Sequence, residues 1–252
     1  MDPLDPQILA LLALAALLAG FIDSIAGGGG LLALPAILLA GAPPVTALAT
    51  NKLQGLFGTA SAALSYARAG QVDLRAQAGP ALVAALAAGA GALVASRLPA
   101  DAIRLALPVL LIAVALFFAL RRGLDDSDRA QRLGPRAFGA TAVPGLAFYD
   151  GVLGPGTGSF YMIGFVALRG YGLLKATAHT KLLNCASNVG AMAVFALVAE
   201  TWWIAGLVMG AGQIVGAQIG ARAAVRGGAR LIRPLLVVTS LAMALRLLWD
   251  AL

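Results

Sequence analysis

Long apolar runs alternate with short polar or glycine-rich breaks along the whole chain. Eight of the ten runs have the length of a helix that crosses a bilayer, whose hydrocarbon core of roughly 30 Å takes about 20 residues. The other two runs are short and adjoin glycine clusters. The pattern predicts an all-α polytopic membrane protein with eight full spans and two short, glycine-broken helices. The ten runs are 7–26, 30–41, 45–67, 77–96, 103–120, 137–153, 159–168, 173–198, 202–221 and 231–249.

The composition excludes a water-soluble globule. Of the 252 residues 60% are hydrophobic and only 12% are charged, against about 25% charged in an ordinary soluble domain. The net charge of +7 is typical of cytoplasmic loops of membrane proteins, so it does not predict a nucleic-acid partner. The single cysteine, Cys185, allows no intramolecular disulfide. The sequence contains no phosphate-binding loop, metal-ligand cluster or nucleophile motif, and we therefore expect no enzyme activity, metal or cofactor.

The two halves of the chain resemble each other. Segment 23–30, an aspartate followed by a glycine cluster, recurs at 150–158, and the polar segment 50–53 is echoed at 179–182. The landmarks keep their order at an offset near 125 to 130 residues. An internal duplication of this kind is common among secondary transporters.

A charged stretch separates the halves. We expect a first transmembrane repeat at 1–122, a charged cytoplasmic linker at 123–136 and a second transmembrane repeat at 137–252. If all ten segments cross, the basic residues other than Lys52 and Lys181 divide thirteen to three between the two sides, which the positive-inside rule favours. Five crossings per half then predict two inverted repeats. The charge rule also predicts that both termini face away from the cytoplasm.

Two lysines, Lys52 and Lys181, lie seven or eight residues inside apolar runs at matching places. A cation there costs roughly 2.5–3.5 kcal/mol on insertion scales, so such residues usually have a function. On a helix Lys181, Asn184 and Asn188 share one face, and Lys52, Gly55 and Thr59 share another, so each lysine heads a polar stripe. An ammonium with amide and hydroxyl donors suits a desolvated oxyanion. The alternatives are lysines that snorkel to the interface and amides that only join helices. The anion-binding candidates on the two segments that carry these lysines are Lys52, Lys181, Asn51, Thr180, Asn184 and Asn188.

The glycine clusters are a second candidate anion site. N–H groups at the start of a helix after a tight turn attract anions through direct donation and the helix dipole. The alternative is close helix packing, which the GxxxG spacing within 212–220 predicts for that segment. Asp23 and Asp150 are candidates for turn capping or proton coupling, and His179 can titrate near neutral pH. The substrate-binding candidates of the clusters are Gly27, Gly28, Gly29, Gly30, Gly154, Gly156, Thr157 and Gly158.

Four longer motifs, in both halves, resemble those of the TauE/SafE sulfite exporter family and its YfcA-like branch. They read GFIDSIAGGGGLL at 20–32, ALATNKLQ at 47–54, FYDGVLGPGTGSFY at 148–161 and KATAHTKLLNCASNVG at 175–190. The resemblance implies a multi-pass permease of the bacterial inner membrane for sulfite, sulfonates or related organosulfur anions. It also implies functional positions at Asp23, Gly27, Gly28, Gly29, Gly30, Thr50, Asn51, Lys52, Asp150, Gly154, Gly156, His179 and Lys181.

We therefore expect a secondary transporter that carries a small anionic sulfur compound through a midplane site by alternating access. We expect the lipid bilayer as a further partner and no nucleic acid. The sequence is compatible with a monomer and with a homo-oligomer. Two alternatives remain. In a channel or cation transporter, Asp23 and Asp150 would bind the cation and the lysines would repel it. A non-transporting membrane scaffold subunit would give no flux.

Overall fold

The computed structural model describes residues 5–99, 126–232, 234 and 235. Within these residues the secondary structure consists of helices without strands, which confirms the all-α prediction. Runs 103–120 and most of 231–249 lie outside the described residues. The described helices are α1 (Pro6–Ala26), α2 (Gly29–Leu39), α3 (Pro44–Arg68), α4 (Ala78–Ala95), α5 (Pro135–Val152), α6 (Thr157–Arg169), α7 (Leu173–Val198) and α8 (Trp203–Gly227).

The helices differ in their ability to cross a membrane. Helices α1, α4, α7 and α8 are long and apolar enough to do so. Helices α3 and α5 have 25 and 18 residues but are less apolar. Helices α2 and α6 have 11 and 13 residues, which reach only about 16 and 20 Å at 1.5 Å per residue. The two short helices are therefore present where the pattern predicts them, while the count of eight full spans stays a prediction.

Proline and glycine set several helix ends. Pro44 and Pro135 open α3 and α5, because a proline at the first helical position has no N–H to leave unpaired. Helix α1 ends at Gly27, whose φ of 78° is the left-handed conformation that glycine adopts without strain. The chain then turns sharply, so that a Cβ at Gly29 would lie 2.9 Å from the Ala19 carbonyl oxygen. The start of α2 consequently lies beside the last two turns of α1.

Helices from the two halves of the sequence interleave. Helix α1 packs most extensively against α8, and α5 packs in the same way against α4. In the centre α3 and α7 contact each other, while α3 also packs on α8 and α7 on α4. Each of these contacts joins a helix before residue 100 to a helix after residue 134. The core therefore lies between the halves rather than inside either one.

Small residues allow the closest of these contacts. A Cβ at Gly216 of α8 would overlap the carbonyl oxygen of Leu17 in α1, and one at Gly212 would lie 2.5 Å from the Ala13 carbonyl oxygen. On the other side of the bundle Gly151 of α5 meets the backbone of Ala88 in α4. The close packing predicted from the GxxxG spacing of α8 is confirmed.

The described part of the linker is bound to the helix bundle. Asp128 accepts hydrogen bonds at 2.7 Å from both the Gly172 N–H and the Lys175 ammonium. These donors hold the pKa of the Asp128 carboxyl below its usual range, with Lys175 contributing most. The contact therefore survives mild acid and is lost only as the pH falls through that lowered value.

A second aspartate of the predicted linker joins the start of α7 to the segment that follows α8. Asp126 accepts from the Leu174 N–H at 3.0 Å and from the Ala229 N–H at 2.7 Å. Helix α5 begins at Pro135, so it takes in the last two residues of the stretch predicted as linker. The described part of the predicted linker therefore caps the first turn of α7 and is fixed to the bundle by these hydrogen bonds.

We expect Gly216→Ala to destabilise the protein, because its Cβ would force α1 and α8 apart. Overpacking of this kind costs about 1–3 kcal/mol, and thermal unfolding in detergent would measure it. Gly145→Ala is the matched control, since no atom lies within 4 Å of its Cβ position on α5. Equal unfolding temperatures for the two variants would contradict the packing argument.

Candidate functional site

The two glycine breaks meet in the interior of the bundle. A Cβ at Gly27 would lie 2.5 Å from the carbonyl carbon of Gly158, so only glycine fits at this crossing. Beside it the Ser159 hydroxyl donates to the Ala26 carbonyl oxygen at 2.7 Å. The N-termini of α2 and α6 are thereby brought together from opposite halves of the chain.

Two buried ion pairs flank this crossing, and each joins the two halves. Lys52 Nζ lies 2.5 Å from Asp150 Oδ1, and Lys181 Nζ lies 2.8 Å from Asp23 Oδ2. The lysines are 2% and 0% exposed, so neither snorkels to an interface. The sequence predicts anion binding by both lysines and names no ion partner for either. In the structure each ammonium is paired with a carboxylate, because a buried charge without a partner is strongly unfavourable.

The two aspartates differ in how their oxygens are satisfied. Asp23 Oδ1 accepts from the Gly29 N–H at 3.0 Å, which caps the start of α2, while its Oδ2 accepts from Lys181. Asp150 Oδ1 accepts from Lys52, but its Oδ2 has no hydrogen-bond partner among the described residues. The two halves of the site are therefore chemically unequal.

A polar cavity lies between the ion pairs and the two breaks. Its volume, as the space open to the centre of a water-sized sphere, is about 30 Å³. It brings most of the predicted site residues together, since both aspartates, Lys52, three asparagines and six glycines of the two clusters line it. The lining residues are Asp23, Gly27, Gly29, Gly30, Asn51, Lys52, Gln54, Gly55, Thr59, Asp150, Gly154, Gly156, Gly158, Asn184, Asn188 and Gln213.

Five predicted site residues do not line the cavity: Gly28, Thr157, His179, Thr180 and Lys181. Lys181 acts on it through Asp23, and the Thr157 hydroxyl donates to the Gly154 carbonyl at 2.7 Å. The Thr180 side chain is fully buried, and its hydroxyl has no partner among the described residues.

His179 lies in a different environment from the cavity. Its ring packs against Phe165 and Tyr171, and Nδ1 is 2.5 Å from Nε2 of Gln77. The side chain is thus engaged by aromatic rings and an amide rather than by the cavity, so a coupling role through direct contact has no geometric support.

Two glutamines complete the cavity wall, although they were absent from the predicted set. Gln213 of α8 fills notches at Gly20 and Gly58, where any Cβ would collide with its side chain. Gln54 Nε2 donates to Asn51 Oδ1 at 2.8 Å, and the Gln54 Oε1 atom has no partner among the described residues. Both are polar residues inside long helices, a costly arrangement in a membrane that could have identified them from the sequence.

A further contact links the polar stripes of α3 and α7. Asn188 Nδ2 donates to the Thr59 hydroxyl at 3.3 Å, and a Cβ at Gly55 would lie 3.4 Å from the same Asn188 nitrogen. The stripe that Lys52 heads therefore faces the stripe that Lys181 heads, as their spacing on the two helices indicates.

Buried ionisable residues around a polar cavity, where two broken helices meet inside an apolar bundle, are typical of secondary membrane transporters. The family model of the sulfite exporter TauE/SafE matches residues 12–247. The chain belongs to the TauE/SafE family, and the resemblance drawn from its motifs is confirmed.

Close relatives have the same general description. The chain is 55% identical over 250 residues to a probable membrane transporter protein, ORF9, of Sinorhizobium sp, covering 99% of this chain and 96% of the relative. It is 44% identical over 247 residues to the probable membrane transporter protein YfcA of Escherichia coli, covering 98% and 92%. It is 41% identical over 244 residues to a probable membrane transporter protein of Haemophilus influenzae, covering 97% and 96%. No solved structure matches the chain.

These findings show a membrane transporter, and the names of family and relatives indicate a transporter rather than an enzyme. Together with the apolar helices they agree with a multi-pass membrane protein.

We expect Lys181→Met to destabilise the protein by about 3–5 kcal/mol, because it leaves the Asp23 carboxylate buried without its partner. The double variant Lys181→Met with Asp23→Asn should recover much of this loss, since the amide oxygen can still accept from the Gly29 N–H. Thermal unfolding of the single and double variants in detergent measures the coupling between the two residues.

Lys175→Met is the control for this cycle. Its ion pair with Asp128 is exposed, and exposed pairs contribute about 0–1 kcal/mol. If the two single changes at Lys181 and Asp23 simply added in the double variant, the buried pair would not be the source of the stability.

Proposed function

We propose that this protein is a permease of the bacterial inner membrane that moves small sulfur-containing anions, such as sulfite or organosulfonates, by alternating access around the central cavity. The observation that supports it most is the cavity itself, in which a buried ammonium, several amides and the glycine-rich start of α2 converge. The sulfur chemistry comes from the family to which the chain belongs.

The donors around the cavity suit an oxyanion with several oxygens. Lys52 supplies a charged N–H donor, while Asn51, Asn184 and Asn188 can supply amide donors from α3 and α7. Charged donors make the strongest hydrogen bonds to such oxygens. The first turn of α2 adds N–H groups and the positive end of a helix dipole. Because Gly30 has no side chain, the Asn51 amide and the start of α2 face the same space.

The interleaved halves support the alternating-access part of the proposal. We infer two inverted repeats, 1–122 and 137–252, that meet at the contact between Gly27 and Gly158. Both ion pairs cross between these repeats. A movement of one repeat against the other would therefore change the cavity and the ion pairs together, which is how many secondary transporters open to one side at a time.

A cation transporter is the second candidate, and one observation favours it. The Gln54 Oε1 and Asp150 Oδ2 atoms, both acceptors, have no partner among the described residues. A cation, or a donor group on the substrate, would satisfy them. Flux assays in proteoliposomes with sulfite and with sodium separate the two candidates, because sodium uptake without sulfite is expected only for the cation transporter.

We expect Lys52→Met to abolish sulfite flux in proteoliposomes, because the cavity loses its charged donor. The matched control is Lys175→Met, which makes the same substitution at an exposed position outside the cavity. Lys52→Met also leaves the Asp150 carboxylate without its partner and so lowers stability. Unfolding profiles of both variants therefore set the temperature below which flux is compared in folded protein. Flux that is unchanged in a folded Lys52→Met protein would reject the proposed role of this lysine.

A ligand screen tests the substrate class independently of flux. Binding to the native state alone raises its stability, so we expect sulfite, methanesulfonate, taurine or sulfoacetate to raise the unfolding temperature in detergent. Sodium chloride at equal ionic strength is the control. A shift with none of the sulfur compounds would argue against the proposed class.

A further inference from the structure

The charges around the cavity add up to zero among the described residues. Lys52 and Lys181 contribute two positive charges, and Asp23 and Asp150 contribute two negative charges. An anion that entered this neutral, buried site by itself would add an uncompensated charge. Such a charge is so unfavourable in a low-dielectric interior that the group usually becomes neutral instead. A compensating positive charge is therefore required when the anion binds.

The two aspartates are unequal candidates for taking up that charge. Asp23 has both oxygens occupied, one by the Gly29 N–H and one by Lys181. A proton on either oxygen of Asp23 would compete with a hydrogen bond that this oxygen already accepts, from Gly29 of α2 or from Lys181. Asp150 is 2% exposed, lines the cavity, and has an oxygen without a partner among the described residues. Asp150 can accept a proton on that oxygen while Lys52 stays bound to the other, and the Thr157 hydroxyl beside this carboxyl donates to the Gly154 carbonyl at 2.7 Å.

Among the described residues, Lys52 is the charged group in direct contact with Asp150. Lys52 approaches Asp150 from α3, and Asp23 lines the same cavity from α1. The hydroxyl groups of Tyr149 and Tyr161 are engaged elsewhere, by the Pro155 carbonyl at 2.6 Å and by the Ser187 hydroxyl at 3.2 Å.

Lys52 cannot serve Asp150 and an anion equally well. Its ammonium is 2.5 Å from Asp150 Oδ1 and lies against Gly154, where a Cβ would come within 2.8 Å of Nζ. The ion pair therefore competes directly with any anion in the cavity. Neutralising Asp150 weakens the ion pair and releases the charge of Lys52 for the anion.

We propose that Asp150 takes up one proton for each monovalent anion that the site binds, while Asp23 stays ionised and structural. The inference rests on the proposed function and names its coupling residue. The proton comes from solvent and forms an O–H bond on the Asp150 carboxyl. Lys52 keeps its proton and exchanges the carboxylate for the anion. The charge of the site is then the same before and after binding, so a monovalent anion and a proton cross together without net charge movement.

The first experiment measures methanesulfonate binding to the full-length protein in detergent at several pH values. Methanesulfonate keeps its single negative charge throughout, so any pH dependence comes from the protein. Where Asp150 is ionised in the free protein, we expect the affinity to fall about tenfold per unit rise in pH, because one proton is bound with each anion. An affinity that does not change with pH would overturn the proposal.

Asp150→Asn distinguishes this role from a merely structural one. The change leaves the buried Lys52 ammonium without a partner, so over the pH range in which Lys52 keeps its proton we expect methanesulfonate to bind more tightly than to the natural protein, with no pH slope. Asp128→Asn is the control and should keep the slope, because it removes an exposed carboxylate outside the cavity and leaves Asp150 in place. A slope that persists in Asp150→Asn would contradict the assignment.

Two further measurements cover the remaining outcomes. In weakly buffered solution the natural protein should take up one proton per methanesulfonate bound, and no uptake would overturn the proposal even if Asp150→Asn failed to fold. If methanesulfonate does not bind to the natural protein, the sulfur-anion function loses support. Bromide then tests the site by itself, since Asp150→Asn should bind bromide through the free ammonium, and a folded variant that does not would reject the inference.

Discussion

The burial of four charges inside an apolar helical bundle is the constraint on which the rest of the structure depends. Lys52 and Lys181 are almost fully shielded from solvent, and each finds its carboxylate in the other half of the chain. Breaking one such pair would leave a buried charge with no compensation. Neither half can satisfy its own charges, so the halves must assemble against each other with the glycine breaks at the centre.

The glycine breaks convert this electrostatic requirement into a cavity. Their backbones approach so closely at Gly27 and Gly158 that a side chain on either would collide with the other. Because glycines have no side chains to fill it, a small space stays open at this crossing, and ammonium, amide and N–H groups converge on it. The same closeness makes the ion pairs sensitive to any movement of one half against the other, which connects packing to the proposed transport cycle.

Much of the helical framework could be predicted from the sequence. The run 173–198 coincides with α7, and the short runs beside the glycine clusters correspond to α2 and α6. These features follow from local hydropathy and from glycine and proline at the ends, which act over a few residues. The polar faces headed by the two lysines were also predictable, because helical spacing alone places their residues together. The ion partners were not, since 98 and 158 residues separate the members of each pair.

The sequence by itself determined that the chain is a helical membrane protein, that two lysines lie inside apolar helices, and which family it belongs to. These properties depend on composition, periodicity and uninterrupted motifs. Only the tertiary structure decided that each lysine is paired crosswise, that Gln213 joins the cavity wall and that His179 packs among aromatic rings elsewhere. The physical reason is that pairing and packing depend on how distant helices approach each other, which local sequence does not encode.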